Sequence, residues 1–248
     1  MQFGLAALSL FPGVAAGSFL NVVAARVPLK RSIVWPGSAC MDCKTTLAWY
    51  DNVPLVSFVL LRGRCRHCSE RIPWRYPLVE AATALLVAGC ILKFGVTWDA
   101  FVAVLFCCTL VTISATDIER FIIPNRIVLP ATVVVLAAQT IVHPSIEWVA
   151  AAAGASLFLL VAALAYPAGM GMGDIKLALL LGAALGRTVP IAMLVGMVSA
   201  LIPAVALLAR HGSAARKMRI PFGPFLALGG IVALFAGKVL LDAYLGLL

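Results

Sequence analysis

The sequence predicts an all-α integral membrane protein of about eight transmembrane helices, with a small zinc-ribbon-like insert after the first span. Three observations predict it. Hydrophobic residues make up 63% of the 248-residue chain and charged residues only 12%, against about 25% charge in a soluble domain. The apolar residues gather into runs close to the roughly 20 that cross a hydrocarbon core. Four of the seven cysteines form two CxxC pairs inside the one long polar segment.

The first span is expected over residues 3–24. Its N-terminus, Met-Gln-Phe-Gly, has no positive n-region, and Arg26, Lys30 and Arg31 follow the apolar run rather than precede it. That order argues for an uncleaved span with its N-terminus outside. Residues 25–76 form the polar, basic, Cys-bearing insert. Further spans are expected near 77–94, 100–116, 127–143, 148–167, 189–209 and 222–245. Between the last three lies a short apolar run, Ile175 to Gly186, whose twelve residues reach only ~18 Å as a helix. The count is eight if this run crosses and seven if it re-enters. Neither an internal repeat nor a low-complexity tract stands out.

The formal net charge of +9 raises the question of nucleic acid, and the position of the charges answers it. Nine of the 19 Lys and Arg lie between Arg26 and Arg75, and four more between Arg210 and Arg219. With the N-terminus outside, sixteen fall in inner segments and three, Lys93, Arg187 and Lys238, in outer ones. This is the positive-inside pattern of a membrane protein, so no nucleic-acid partner is expected.

Cys40-Met41-Asp42-Cys43 and Cys65-Arg66-His67-Cys68 stand 21 residues apart. Two CxxC pairs at such a spacing are a tetrathiolate zinc pattern, and binding would fold a loop too polar to build its own core. Four Cys ligands close the coordination sphere, which makes the site structural. The topology puts the insert in the reducing cytosol, where disulfides are rare. The alternative is four unbound thiols, or two disulfides in an inverted topology. Cys90, Cys107 and Cys108 sit in apolar runs and read as small hydrophobes.

Ionisable groups in or beside spans are costly and default to functional candidates. Asp117 ends the third run, in Thr116-Asp117-Ile118-Glu119-Arg120, ahead of Ile123-Pro124-Asn125. Asp174 lies in Gly171-Met172-Gly173-Asp174-Ile175-Lys176, at the start of the short run. Both fall on the cytosolic side of the expected topology. Two carboxylates held close can share one proton, the protonated one donating to a scissile carbonyl while the ionised one takes a proton from water. Gly171 and Gly173 would let a substrate strand approach closely. The plainer account makes Asp174 a helix cap and Asp117 an interfacial partner of Arg120. Lys176 either favours the ionised form of Asp174 or anchors the interface. Glu80, early in the second span, either meets a positive substrate group or pairs locally. Asn21 is placed to hydrogen-bond between helices.

Gly-Met-Gly-Asp at 171–174 is similar to the GxGD motif of membrane aspartyl proteases. The rest of the chain resembles the type IV prepilin peptidases within that group. The matching residues are Gly17-Ser18-Phe19-Leu20-Asn21, the double CxxC, Tyr50-Asp51-Asn52-Val53-Pro54, Arg75-Tyr76-Pro77-Leu78-Val79-Glu80, Asp117-Ile118 with Ile123-Pro124, Gly173-Asp174-Ile175-Lys176, and Ile220-Pro221-Phe222-Gly223-Pro224-Phe225. They run in the family's order from residue 17 to residue 225. Met41 departs from it, standing where relatives often carry Pro, at a position that is no ligand. The resemblance implies that Asp117 and Asp174 cleave the basic leader of prepilins or pseudopilins at the cytosolic face of the bacterial inner membrane. It also implies N-methylation of the new N-terminus with S-adenosylmethionine. The chain then divides into a first span (1–24), a zinc-binding insert (25–76) and a polytopic protease core (77–248). The rival function is a transporter or channel, in which the two aspartates relay protons and the insert is a regulatory zinc module.

Overall fold

A computed structural model describes residues 2–166, 170–212 and 218–246. Residues 167–169 and 213–217, in two of the expected inner segments, lie outside the described residues. Nine α-helices are described: α1 (Gln2–Arg26), α2 (Val56–Leu60), α3 (Arg75–Phe94), α4 (Trp98–Arg120), α5 (Asn125–Val142), α6 (Glu147–Ala165), α7 (Met172–Leu185), α8 (Val189–His211) and α9 (Gly223–Leu245). Among the described residues there is no strand beyond two isolated bridges in the insert, Ala39 with Thr46 and Arg64 with Arg71. Seven helical stretches are long and apolar enough to cross a membrane. The chain divides into two compact units, residues 1–100 and 101–248.

In the first unit α1 and α3 pair antiparallel. Gly13 faces Ala84, Gly17 faces Glu80, and the Asn21 side-chain amide donates to the Tyr76 carbonyl at 3.1 Å. A Cβ on Gly17 would stand 2.6 Å from the Glu80 Cα, so the small residue sets how closely the backbones approach. The insert leaves the end of α1 and returns at the start of α3, so both its stalks emerge from one end of this hairpin.

In the second unit α7 is the central element. Ten of its fourteen residues are buried, so it is apolar on nearly every side and has no polar stripe to expose. Gly182 lies against Ala151 and Ala152, and Gly186 against Glu147 and Trp148, so α6 and α7 run antiparallel. On α9, Gly230 lies against Leu181 and Gly237 against Thr188, which makes α9 parallel to α7. Gly229 lies against Ala192, and Gly196 against Phe225 and Leu226, so α8 is antiparallel to α9.

The single apolar stretch Met172–His211 is therefore two helices of opposite direction. Gly186, at φ +53°, is in the left-handed region that glycine adopts without strain, and the chain turns back there. The short run is a separate helix between α6 and α8, about 21 Å long. The reversal splits that stretch into two helices, and α7 is shorter than a span, so seven stretches among the described residues are long and apolar enough to cross.

Candidate active site

Each expected aspartate sits on the element its sequence position implies. Asp117 lies in the last turn of α4 and Asp174 in the first turn of α7. The helix directions bring these ends together. α4 runs antiparallel to α9, with Phe106 and Leu110 against Gly230 and Asp117 against Gly223. Since α7 runs parallel to α9, the C-terminal end of α4 and the N-terminal ends of α5, α7 and α9 meet. Asp117 is close enough for its charge to act on Asp174, and both residues are buried.

Each carboxylate has one oxygen held by a glycine amide. The Gly223 N–H donates to Asp117 Oδ2 at 2.9 Å, and the Gly171 N–H donates to Asp174 Oδ2 at 3.2 Å. Asp174 also donates its own N–H to the Gly171 carbonyl at 3.1 Å. The plainer capping account thus describes a real contact, at the third residue of α7 rather than at its cap. That contact occupies Oδ2 of Asp174.

Gly173 serves packing. A Cβ there would meet the Ile123 Cβ at 2.9 Å, so it is the residue that seats α7 against the segment between α4 and α5. Gly171 faces Asp174 Oδ2 at an ordinary 3.4 Å. Lys176 reaches away from Asp174: its Nζ donates to Asn125 Oδ1 at 2.8 Å, tying the first turns of α5 and α7 together. Glu80 is in the first unit, where its Oε2 accepts the Leu55 N–H at 2.8 Å and Ser18 also hydrogen-bonds it. It is a local tie between α3, α1 and the insert.

The cysteines form the second site. The Sγ atoms of Cys40, Cys43, Cys65 and Cys68 all lie within 4.8 Å of one another, with Cys40 to Cys68 at 3.7 Å and Cys43 to Cys65 at 4.0 Å. Zinc–sulfur bonds of ~2.3 Å in a tetrahedron set the sulfurs ~3.8 Å apart, so the donor set fits that ion. The four thiols act on one another's protons. Hydrogen bonds from the Thr45 side chain and backbone bring the Cys43 thiol down to about 6. Against the Glu70 backbone hydrogen bond, its largest single influence, desolvation and the three neighbouring thiols push Cys68 up to about 12.

The two knuckles are copies of one another. Cys40 N–H donates to the Thr45 carbonyl and Cys65 N–H to the Glu70 carbonyl; Leu47 N–H donates to Ser38 and Ile72 N–H to Gly63. Lys44 and Ser69 take the same left-handed position at φ 58° and 59°. The repeat continues to Trp49 and Trp74, each nine residues past the first Cys of its knuckle. It was readable in the sequence as CxxC, three residues, Leu or Ile, one residue, Trp. Arg66, inside the second knuckle, makes a bidentate pair with buried Asp51, at 2.7 Å from Nη2 to Oδ1. That guanidinium holds the Asp51 carboxyl below the usual carboxylate range.

Gly223 is the site residue that the sequence reading did not reach. Its contribution is a backbone N–H, 106 residues from Asp117, and no side chain signals it.

Residues 11–94 match the model of the bacterial peptidase A24 N-terminal domain, and residues 104–206 match that of the type IV leader peptidase family. A Bacillus subtilis protein named prepilin leader peptidase/N-methyltransferase is 36% identical over 94% of this chain and 95% of its own length. Proteins of the same name from Burkholderia pseudomallei and Pseudomonas aeruginosa are 35% and 34% identical, over 93% and 94% of this chain and 85% and 91% of theirs. No solved structure is similar enough to match.

Proposed function

The chain belongs to the type IV leader peptidase family, and from that premise we propose that it cleaves prepilin leaders with Asp117 and Asp174 and methylates the N-terminus it exposes. It is a prepilin peptidase and a multi-pass inner membrane protein, as its relatives' names and its seven apolar stretches indicate. The transporter reading is not favoured, because the similarity to these peptidases runs over nearly the whole chain. The observation that carries the catalytic assignment is the glycine amide on one oxygen of each aspartate. It leaves the second oxygen of each for water and substrate.

In the reaction, the ionised member of the pair takes a proton from water as the water oxygen attacks the scissile carbonyl. The protonated member donates to the carbonyl oxygen, and the tetrahedral intermediate forms between them. The proton held by the first aspartate then passes to the leaving amide nitrogen. The C–N bond breaks as one hydroxyl of the tetrahedral diol returns its proton to the second aspartate, releasing the leader as a carboxylic acid, which ionises in water, and the mature chain as an amine. The pair ends with one proton, as it began.

We assign residues 1–24 to the first span, 25–76 to a zinc-binding insert and 77–248 to the protease core. The N-terminus is outside and the dyad faces the cytosol, as the distribution of basic residues favours. Prepilins or pseudopilins are the substrates and lipid is the surrounding partner. Cys40, Cys43, Cys65 and Cys68 hold a structural zinc, which has no open position for chemistry. S-adenosylmethionine supplies the methyl group when bound. The shallow hollows along α6 and along α2 are both lined by apolar side chains. Neither suits a charged nucleoside donor, and no residue is assigned to it.

The test uses the purified full chain in lipid vesicles with a prepilin bearing a basic leader. The product is expected to lose the leader, and to gain one methyl on its new N-terminus only when S-adenosylmethionine is added. An intact prepilin after prolonged incubation with zinc-loaded protein refutes the assignment.

Gly223 acts as a positioning residue. In Gly223→Ala the new Cβ falls 2.8 Å from Asp117 Oδ2, so the carboxylate must swing off its amide. Displacing a reacting group by about 1 Å can cost ~100-fold. We expect kcat for leader cleavage to fall about 10- to 100-fold with KM little changed. Gly171→Ala, whose Cβ meets only an ordinary contact, should stay within a few-fold of the parent. Equal loss in both variants, or none in Gly223→Ala, rejects the positioning role.

A further inference from the structure

The insert carries a surface that neither leader cleavage nor zinc binding uses. Helix α2 is Val56-Ser57-Phe58-Val59-Leu60. Phe58 turns inward, its ring 5.0 Å from that of Trp74 and beneath Gly63. Val56, Val59 and Leu60, spaced i, i+3 and i+4, share the opposite face, and Val59 and Leu60 are 72% and 76% exposed. A shallow apolar hollow runs along the same face. Trp49 and Trp74, the paired tryptophans of the two knuckles, are also exposed.

The depth of this helix is fixed by one bond. Leu55, the residue before α2, donates its N–H to Glu80 Oε2 at 2.8 Å. Glu80 lies five residues into α3, itself one of the membrane-crossing stretches, about 7.5 Å along its axis. The start of α2 is thus bonded to a side chain from the second turn of a membrane-crossing helix. An apolar face at that level meets the boundary between headgroups and acyl chains, where amphipathic helices and tryptophans settle.

The charge of the insert points to the same occupant. Lys30, Arg31, Arg62, Arg64 and Arg71 are exposed on the insert, Arg62 and Arg64 within four residues of the end of α2. Basic groups beside a membrane surface attract anionic headgroups. A prepilin leader, basic under the proposed function, would be repelled.

We propose that α2 is an interfacial helix, seating the zinc insert in the lipid bilayer through Val56, Val59 and Leu60 with its basic rim on anionic headgroups. The bilayer that accommodates α1 and α3 continues under α2.

The test places the photoreactive side chain p-benzoylphenylalanine at Val59, and separately at Leu60, in the full-length protein. The protein is reconstituted in phosphatidylethanolamine–phosphatidylglycerol vesicles, and adducts are identified by mass spectrometry. The expected result is phospholipid adducts at both positions with or without prepilin. Phosphatidylglycerol should be enriched at least about twofold over its share of the vesicle. Adducts to prepilin alone, to the second unit of the chain, or no adduct at either position overturn the proposal. Lipid adducts without the enrichment overturn its anionic part.

Discussion

Asp117→Asn and Asp174→Asn are each expected to abolish leader cleavage, with rates falling by about a thousandfold or more, while the protein still inserts and keeps its metal. Groups that act as one catalytic unit lose comparable activity whichever member is removed, and losing both adds little. The double variant should therefore cleave no more slowly than either single one. The geometry makes Asn the informative substitution. Its carbonyl oxygen can still accept the Gly223 or Gly171 N–H that now holds Oδ2, so the side chain stays in place and only the proton-transfer capacity is lost.

In the parent protein the pH–rate profile should be a bell, and its two apparent pKa values belong to the pair. Methylation of a peptide supplied already cleaved separates the activities, because it requires no hydrolysis. If either Asn variant still processes prepilin at more than a few per cent of the parent rate, the dyad is wrong.

Much of the fold was legible because hydropathy and length carry it. Single apolar runs such as residues 100–116 sit within α4, and the two CxxC pairs announce the insert. What the sequence left open has identifiable physical causes. The run Ile175 to Gly186 leaves the count open because its twelve residues reach only ~18 Å as a helix, short of a hydrocarbon core. Only the turn at Gly186, with Trp148 and Glu147 packed on it, shows that α7 and α8 are separate. The pairing of Asp117 with Asp174 was a guess about convergence. The packing of α4, α7 and α9 through Gly223 and Gly230 supplies the mechanism of that convergence. Lys176 reads as a candidate modulator of Asp174 because it follows it by two positions. Its partner, Asn125, is 51 residues away, and one sequence alone carries no sign of that bond. The knuckle repeat is legible in the sequence itself, in Trp49 and Trp74 as well as in the cysteines.

Removing zinc is expected to unfold the insert while the paired membrane helices α1 and α3 stay intact. Between residues 27 and 74 the only buried residues are Asp51 and Cys65, and the regular structure is α2 and short helical turns. So small a core cannot offset the conformational entropy of ordering such a segment, at about 1–2 kcal/mol per residue. A tetrathiolate zinc site contributes on the order of 10–16 kcal/mol in small metal-folded domains, enough to decide the balance. Two knuckles with the same hydrogen bonds and the same left-handed residue would offer their thiols to one ion from both sides. Neither half can coordinate it fully alone.

We expect one zinc per chain, and its loss in both Cys40→Ser and Cys65→Ser. Chelation should speed tryptic cleavage at Arg62, Arg64 and Arg71 by about tenfold or more, since proteolysis follows the population of the open form. The membrane-embedded hairpin has its own reason to persist, in the close glycine contacts at Gly13 and Gly17 and the Asn21 to Tyr76 bond. Fragments ending within the insert should therefore stay associated after the cut. Unchanged zinc in both Ser variants, or an insert equally resistant to trypsin with and without metal, would show that the four thiols are held by the fold rather than the fold by the thiols.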